Sequence, residues 1–142
     1  MPDTAWHMQG NWEPILSEIK STKLDVHGTI PEALNGTYIR TGPNPGNGAS
    51  PHWFQGDGMV HGIRLRDGQA EWYRNAFIKT DILASGEPRM DPTDMQLGTA
   101  NTSIHTHNGK ILSLMESAWP WRIDEDLNSV GVENFGGRLT CA

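Results

Sequence analysis

The chain has 142 residues, a formal net charge of −6 and a pI near 5.4. An acidic balance without any basic stripe excludes the electrostatic footprint of a nucleic-acid binder. The only cysteine, Cys141, excludes an internal disulfide framework and suits a reducing, cytoplasmic setting.

Sixteen Gly, nine Pro and six Trp favour short strands joined by tight turns, with large aromatics on pleated surfaces. The N-terminus, MPDTAWHMQGNW, has neither the basic start nor the apolar run of a secretory signal. No stretch approaches the roughly 18 apolar residues that span a bilayer.

Residues 1–27 read as a lead-in segment. Pro14 opens one short helical turn over residues 15–20, expected to lie across a larger body. Residues 28–142 read as the first part of a β-domain. GTIPEALNGTYIRTGPNP opens it, with a strand over 37–41 and a stiff loop at Gly42-Pro43-Asn44-Pro45-Gly46.

The segment MVHGIRLR-DG-QAEWYRN predicts a hairpin around Asp67-Gly68. A regular register would set Arg66 against Gln69, Leu65 against Ala70, Arg64 against Glu71 and Ile63 against Trp72. Ile63, Leu65, Ala70 and Trp72 would then share one apolar face, with the Arg64–Glu71 pair on the other. The Gly56-Asp57-Gly58 run reads as a turn whose glycines take positive φ, because it does not sit between a strand and a helix as a phosphate loop would.

Residues 80–98 read as a long polar connection. NTSIHTH-NG-KILSLMES predicts a second hairpin around Asn108-Gly109, with His107 facing Lys110, Thr106 facing Ile111, His105 facing Leu112 and Asn101 facing Glu116. A third β segment, 121–123, follows Pro120, and a polar turn covers 124–126. The regular hairpins point to a sandwich or propeller blades.

Six histidines are present. His105 and His107 share a strand face and could chelate, yet they read as solvated strand residues. His61 reads as a hydrogen-bonded core or rim histidine. Glu116 ends a strand on an otherwise apolar face, either solvated or aimed at a buried partner. No nucleophile arrangement is visible.

Three segments carry a resemblance. GTIPEALNGTYIRTGPNP, HWFQGDGMVHGIRLRDGQAEWYRNAFIKT and GTANTSIHTHNGKILSLMES together resemble the N-terminal region of the carotenoid cleavage oxygenases. That family includes carotenoid, apocarotenoid and stilbene cleavers and a retinoid isomerase. The resemblance implies an all-β fold: part of a seven-bladed β-propeller. It implies an Fe(II) dioxygenase that splits a conjugated C=C bond with O2 into two carbonyl products. A hydrophobic conjugated substrate and peripheral membrane contact for its uptake are further expectations.

The family holds its iron with four histidines, three of them oriented by glutamates. Glu116 matches the first such glutamate. In the family the first iron-binding histidine follows a Gly-Gly-Arg-Leu-Thr segment. Here Gly136-Gly137-Arg138-Leu139-Thr140 is followed by Cys141 and Ala142, and His7, His27, His52, His61, His105 and His107 match no ligand position. The resemblance therefore implies an N-terminal portion that binds no iron, folds poorly and is inactive alone. Two other readings stand beside it: a retinoid isomerase-like relative, and a sugar-binding β-module whose Trp53, Trp72, Trp119 and Trp121 form one exposed platform.

Overall fold

The computed structural model describes residues 5–86 and 94–140. Its body is two four-stranded antiparallel sheets. The first has the order β1 (Ile19–Ser21), β4 (Gln69–Phe77), β3 (Asp57–Arg66), β2 (Gly36–Asn44). The second runs β5 (Ser103–His107), β6 (Lys110–Met115), β7 (Ala118–Ile123), β8 (Ser129–Val132). Among the described residues helix is confined to α1 (Asp81–Ser85), capped by the Thr80 hydroxyl accepting from Leu83 N, and two 3₁₀ turns, Trp6–Met8 and Gly10–Trp12.

The short helix expected over 15–20 is absent. Asn44 takes both backbone groups of Ile15, with its Oδ1 on the N–H and its Nδ2 on the carbonyl, each at 2.8 Å. Asn75 does the same further on, accepting from Ile19 N at 2.6 Å and donating to Ser17 O at 3.0 Å. With these backbone groups claimed by neighbouring strands, the segment stays extended and adds β1 to the edge of the first sheet.

Strand β2 is longer than expected, running through Gly42 and Pro43 to Asn44. Proline is tolerated because β2 is an edge strand, so its missing N–H removes no ladder bond. Pro120 likewise sits inside β7, at a register irregularity opposite Leu114, where Ser113 pairs Trp121 and Met115 pairs Ala118.

Both two-residue turns form as expected, with positive φ at Asp67 and Gly68 (47° and 74°) and at Asn108 and Gly109 (47° and 72°). That is the geometry whose twist matches antiparallel strands. The second hairpin keeps the expected register: His107 pairs Lys110, Thr106 pairs Ile111, His105 pairs Leu112. The first does not. Leu65 pairs Ala70, but Arg64 pairs Trp72 and Ile63 pairs Tyr73, leaving Glu71 as the extra residue of a bulge. Trp72 thereby moves to the core face, while Ile63 faces outward, 36% exposed. Glu71 still reaches both arginines, at 3.8 Å from Arg64 and 3.5 Å from Arg66.

The sheets pack face to face over Val60, Ala76 and Ile78 from the first side and Ala100, Trp121, Ile123 and Leu127 from the second. Burying each large aliphatic side chain here stabilises the fold by about 1.5–3 kcal/mol. Close approach depends on Gly58, where a Cβ would lie 2.5 Å from Thr99 O, and Gly62, where it would meet Leu127 Cδ1 at 2.9 Å.

Candidate functional site

Glu116 sits in the two-residue turn between β6 and β7, exposed, at the margin of a cleft of about 1000 Å³. The cleft is formed where the end of β2, the loop over residues 45–56, helix α1 and the turn after β6 converge. Pro43, Phe54, Ile82, Leu83 and Met115 give it an apolar wall.

The turn that carries Glu116 explains its position. The paired ladder of β5 and β6 ends at Ser103 and Leu114, and Thr102 N still donates to Leu114 O at 2.9 Å. Asn101 does not face Glu116 in the ladder as expected. It is buried and donates from Nδ2 to Phe54 O and Gly56 O, at 3.2 and 2.8 Å. Thr102 takes its place: its hydroxyl lies 3.1 Å from Glu116 Oε2 and 3.2 Å from Asn101 Oδ1. Glu116 can only accept when ionised, so the hydroxyl proton is directed at one acceptor at a time. The Asn101–Thr102 brace was not read from the sequence, although the expected opposition of 101 and 116 was the signal that placed this corner near Glu116.

Beneath the cleft, Asp57 Oδ2 accepts from Gly46 N at 2.8 Å and ties the 45–56 loop to β3. The glycines on either side of Asp57 do not take positive φ, contrary to the expectation of a turn. Asp57 opens β3. Gly56 and Gly58 are there for close approach: a Cβ on Gly56 would lie 2.9 Å from Asn44 N, and one on Gly58 2.7 Å from Ala100 O.

The histidines are dispersed. His61 is half-buried, with Nδ1 2.9 Å from the Tyr73 hydroxyl. Burial, followed by the charge of Arg40, holds its pKa below the ordinary histidine value. His105 and His107 lie exposed on edge strand β5, and the His107 ring meets Phe135 edge-on at 5.8 Å. His52 Nδ1 accepts from Phe54 N at 3.2 Å. His7 Nε2 lies 3.2 Å from Ser50 O, and since a carbonyl only accepts, that nitrogen carries the proton. His27 is exposed. Among the described residues no group of three or more His, Cys, Asp or Glu could hold a metal ion. Cys141 lies outside the described residues.

The four-tryptophan platform does not form. Trp121 is a core residue and Trp72 packs against that core. The indole nitrogens of Trp119 and Trp121 are buried without an acceptor among the described residues, the reverse of what a sugar platform presents. A second polar cluster was also missed: buried Glu133 accepts from Lys110 and lies 3.7 Å from Arg122, while its Oε1 caps Phe135 N at 2.9 Å.

The chain is similar in sequence and fold to known proteins. A carotenoid cleavage oxygenase of Mycobacterium tuberculosis is 42% identical over 94% of this chain and 28% of its own length. A carotenoid 9,10(9′,10′)-cleavage dioxygenase of Arabidopsis thaliana is 35% identical over 94% of this chain and 32% of its length. Among solved structures, the lignostilbene dioxygenase of Pseudomonas brassicacearum superposes with a TM-score of 0.77 at 29% identity, covering 93% of this chain and 31% of its own. Cobalt-substituted apocarotenoid oxygenase of Synechocystis gives 0.73 at 27% identity, over 89% of this chain and 31% of its own. The chain thus spans under a third of the length of these relatives. The family described as retinal pigment epithelial membrane protein matches residues 12–142, nearly all of both sheets and the cleft between their ends, and the chain belongs to that family, the carotenoid cleavage oxygenases.

Proposed function

We propose that this chain is the N-terminal part of an Fe(II) dioxygenase that cleaves a conjugated carbon–carbon double bond of a carotenoid, apocarotenoid or stilbene with O2. The observation that carries the reading is the placement of Glu116: a carboxylate held by Thr102 at the margin of an apolar cleft, in a chain whose relatives are named for these cleavages.

The described residues do not by themselves fit as iron ligands. In this reading the ligating histidines come from other parts of the polypeptide. The chain supplies three things. Glu116 accepts the outward N–H of a ligating imidazole, which fixes the ring and its tautomer. Thr102 donates to the second carboxylate oxygen and so sets the plane of the group. The apolar wall accommodates a hydrocarbon chain and excludes water from it. The balance of the reaction is one O2 and one C=C bond consumed, two carbonyl groups formed.

The test is product analysis on a polypeptide that contains residues 1–142 and carries iron. Carotenoid and stilbene substrates should each be tried under ¹⁸O2, with carbonyl fragments identified by mass. Isomerised substrate without fragments would support the retinoid isomerase-like reading. Intact, unisomerised substrate from both classes would overturn both.

A further inference from the structure

Asn101 touches both the 45–56 loop and the hydrogen-bond partner of Glu116. Its side chain is buried, 6% exposed, beside the cleft. Nδ2 donates to Phe54 O at 3.2 Å and to Gly56 O at 2.8 Å, and Oδ1 lies 3.2 Å from the Thr102 hydroxyl. Carbonyl oxygens only accept, so the nitrogen is the end that faces the loop and the oxygen is left for Thr102. A side-chain amide is planar for the same resonance reason as a peptide bond. The two carbonyls that hold its nitrogen therefore also place its oxygen.

Thr102 carries one hydroxyl proton and faces two acceptors, Asn101 Oδ1 at 3.2 Å and Glu116 Oε2 at 3.1 Å. The ionised carboxylate is the stronger acceptor, and the amide oxygen competes with it at nearly equal distance. When the loop shifts, the amide follows its carbonyls and the competition changes. The loop has other anchors: Trp6 stacks on its Trp53 with centroids 5.1 Å apart, His7 gives its N–H to Ser50 O, and Asp57 takes Gly46 N. Those contacts hold the loop without involving Thr102 or Glu116, whereas the Asn101 amide joins the two. Polar groups linked in this way act as a unit, because each bond fixes the geometry of the next.

We infer that Asn101 is a positioning residue that couples the 45–56 loop to Glu116 through the Thr102 hydroxyl, so that whatever seats against the loop in the cleft adjusts the carboxylate. The inference rests on the proposed role of Glu116 and adds a path by which the cleft reaches it. Asn101 makes no contact with substrate in this scheme and acts only through Thr102.

The experiment uses the iron-loaded polypeptide containing residues 1–142. Hydrogen–deuterium exchange, read by mass spectrometry, follows one peptide over residues 45–56 and one over 110–119, which carries the Met115–Ala118 pair on either side of the Glu116 turn. Initial rates on a carotenoid and a stilbene give kcat and KM. Asn101→Ala should speed exchange in both peptides and lower kcat by about three- to tenfold with KM within about twofold, the size of coupling found within one hydrogen-bond network. Asn101→Ser, whose hydroxyl keeps a donor for one carbonyl, should do the same more mildly and serves where Asn101→Ala does not fold. Thr102→Val leaves the amide on its carbonyls and should speed exchange over 110–119 more than over 45–56. The double variant Asn101→Ala/Thr102→Val should exchange over 110–119 no faster than the faster single variant. Parental exchange over 110–119 in the Asn101 variants overturns the coupling. Additive effects in the double variant overturn the route through Thr102. Coupled exchange without cleavage of either substrate sinks the dioxygenase reading and leaves the relay standing. Cleavage with parental kcat and parental 110–119 exchange in the Asn101 variants does the opposite.

Discussion

At the scale of single residues, Glu116 and Gly58 show two ways in which a side chain, or its lack, sets the site. Glu116→Gln keeps size and an acceptor oxygen but removes the charge that would polarise an imidazole N–H. In an iron-loaded polypeptide containing this segment, the substitution should lower metal affinity or activity by about 10–100-fold without lowering the melting temperature. Iron content by elemental analysis and initial rates decide it. Arg66→Gln is the control, because Arg66 is 54% exposed beside Glu71 and such a surface ion pair contributes only about 0–1 kcal/mol. Parental values for both variants would leave Glu116 a solvated turn residue. Gly58→Ala should act on stability instead. Its Cβ would lie 2.5 Å from Thr99 O and 2.7 Å from Ala100 O, backbone atoms with little room to give. A loss of about 1–3 kcal/mol is expected, as for other overpacked sites. Gly42→Ala meets nothing within 4 Å and should melt with the parent. The end of a strand near Glu116 was legible in the sequence, although β6 stops at Met115 and Glu116 itself lies in the turn. Its partner was not, because a turn, unlike a ladder, gives no register from which Thr102 rather than Asn101 could be chosen.

At the scale of elements, legibility followed the regularity of the hairpins. Asn108-Gly109 is flanked by strands without a bulge, so counting outward from the turn gave the observed pairs. Around Asp67-Gly68 the same count failed after two pairs, because Glu71 bulges out to reach Arg64 and Arg66. No period-2 pattern announces a bulge, and one extra residue flips every later side chain. The lead-in was misread as helical because the side chains that hold it extended, Asn44 and Asn75, lie about 30 and 56 residues further on. Strand β8 was missed altogether, and with it the residue just beyond its end, Glu133. That carboxylate is held below the usual carboxylate range, first by the hydrogen bond from Lys110, then by the Phe135 N–H, with Lys110 and Arg122 charges adding to these. A folded-state pKa below the unfolded one means that the group adds stability above the unfolded value and that this is lost as pH falls through the folded value. Thermal midpoints measured from neutral to acid pH should therefore drop less steeply in Glu133→Gln than in the parent below about pH 4.5, the ordinary glutamate range. Parallel curves would remove Glu133 from the acid sensitivity.

At the scale of the molecule, the two faces of the first sheet have different fates. One packs on the second sheet through Val60, Ala76 and Trp72. The other carries Tyr38, Arg40, His61, Ile63 and Tyr73, brought together by the pairs Tyr38–Ile63, Arg40–His61 and Ile63–Tyr73. Of these, Tyr38 is 64% exposed, Ile63 36%, and Ile19 on neighbouring β1 52%. Relatives of this chain are β-propeller enzymes more than three times as long, and in stacked-sheet architectures each sheet covers its neighbours. Uncovered apolar sheet faces and strand edges associate. The 142-residue chain in isolation should therefore elute as oligomers whose size grows with concentration. Tyr38→Lys/Ile63→Lys should shift it toward monomer by placing like charges beside Arg40, while Trp6→Lys, on the lead-in, should not. A monomeric parent with a sharp cooperative melt would show instead that the outward face is stable in water, and that the His61–Tyr73 hydrogen bond and Arg40 suffice to keep it so.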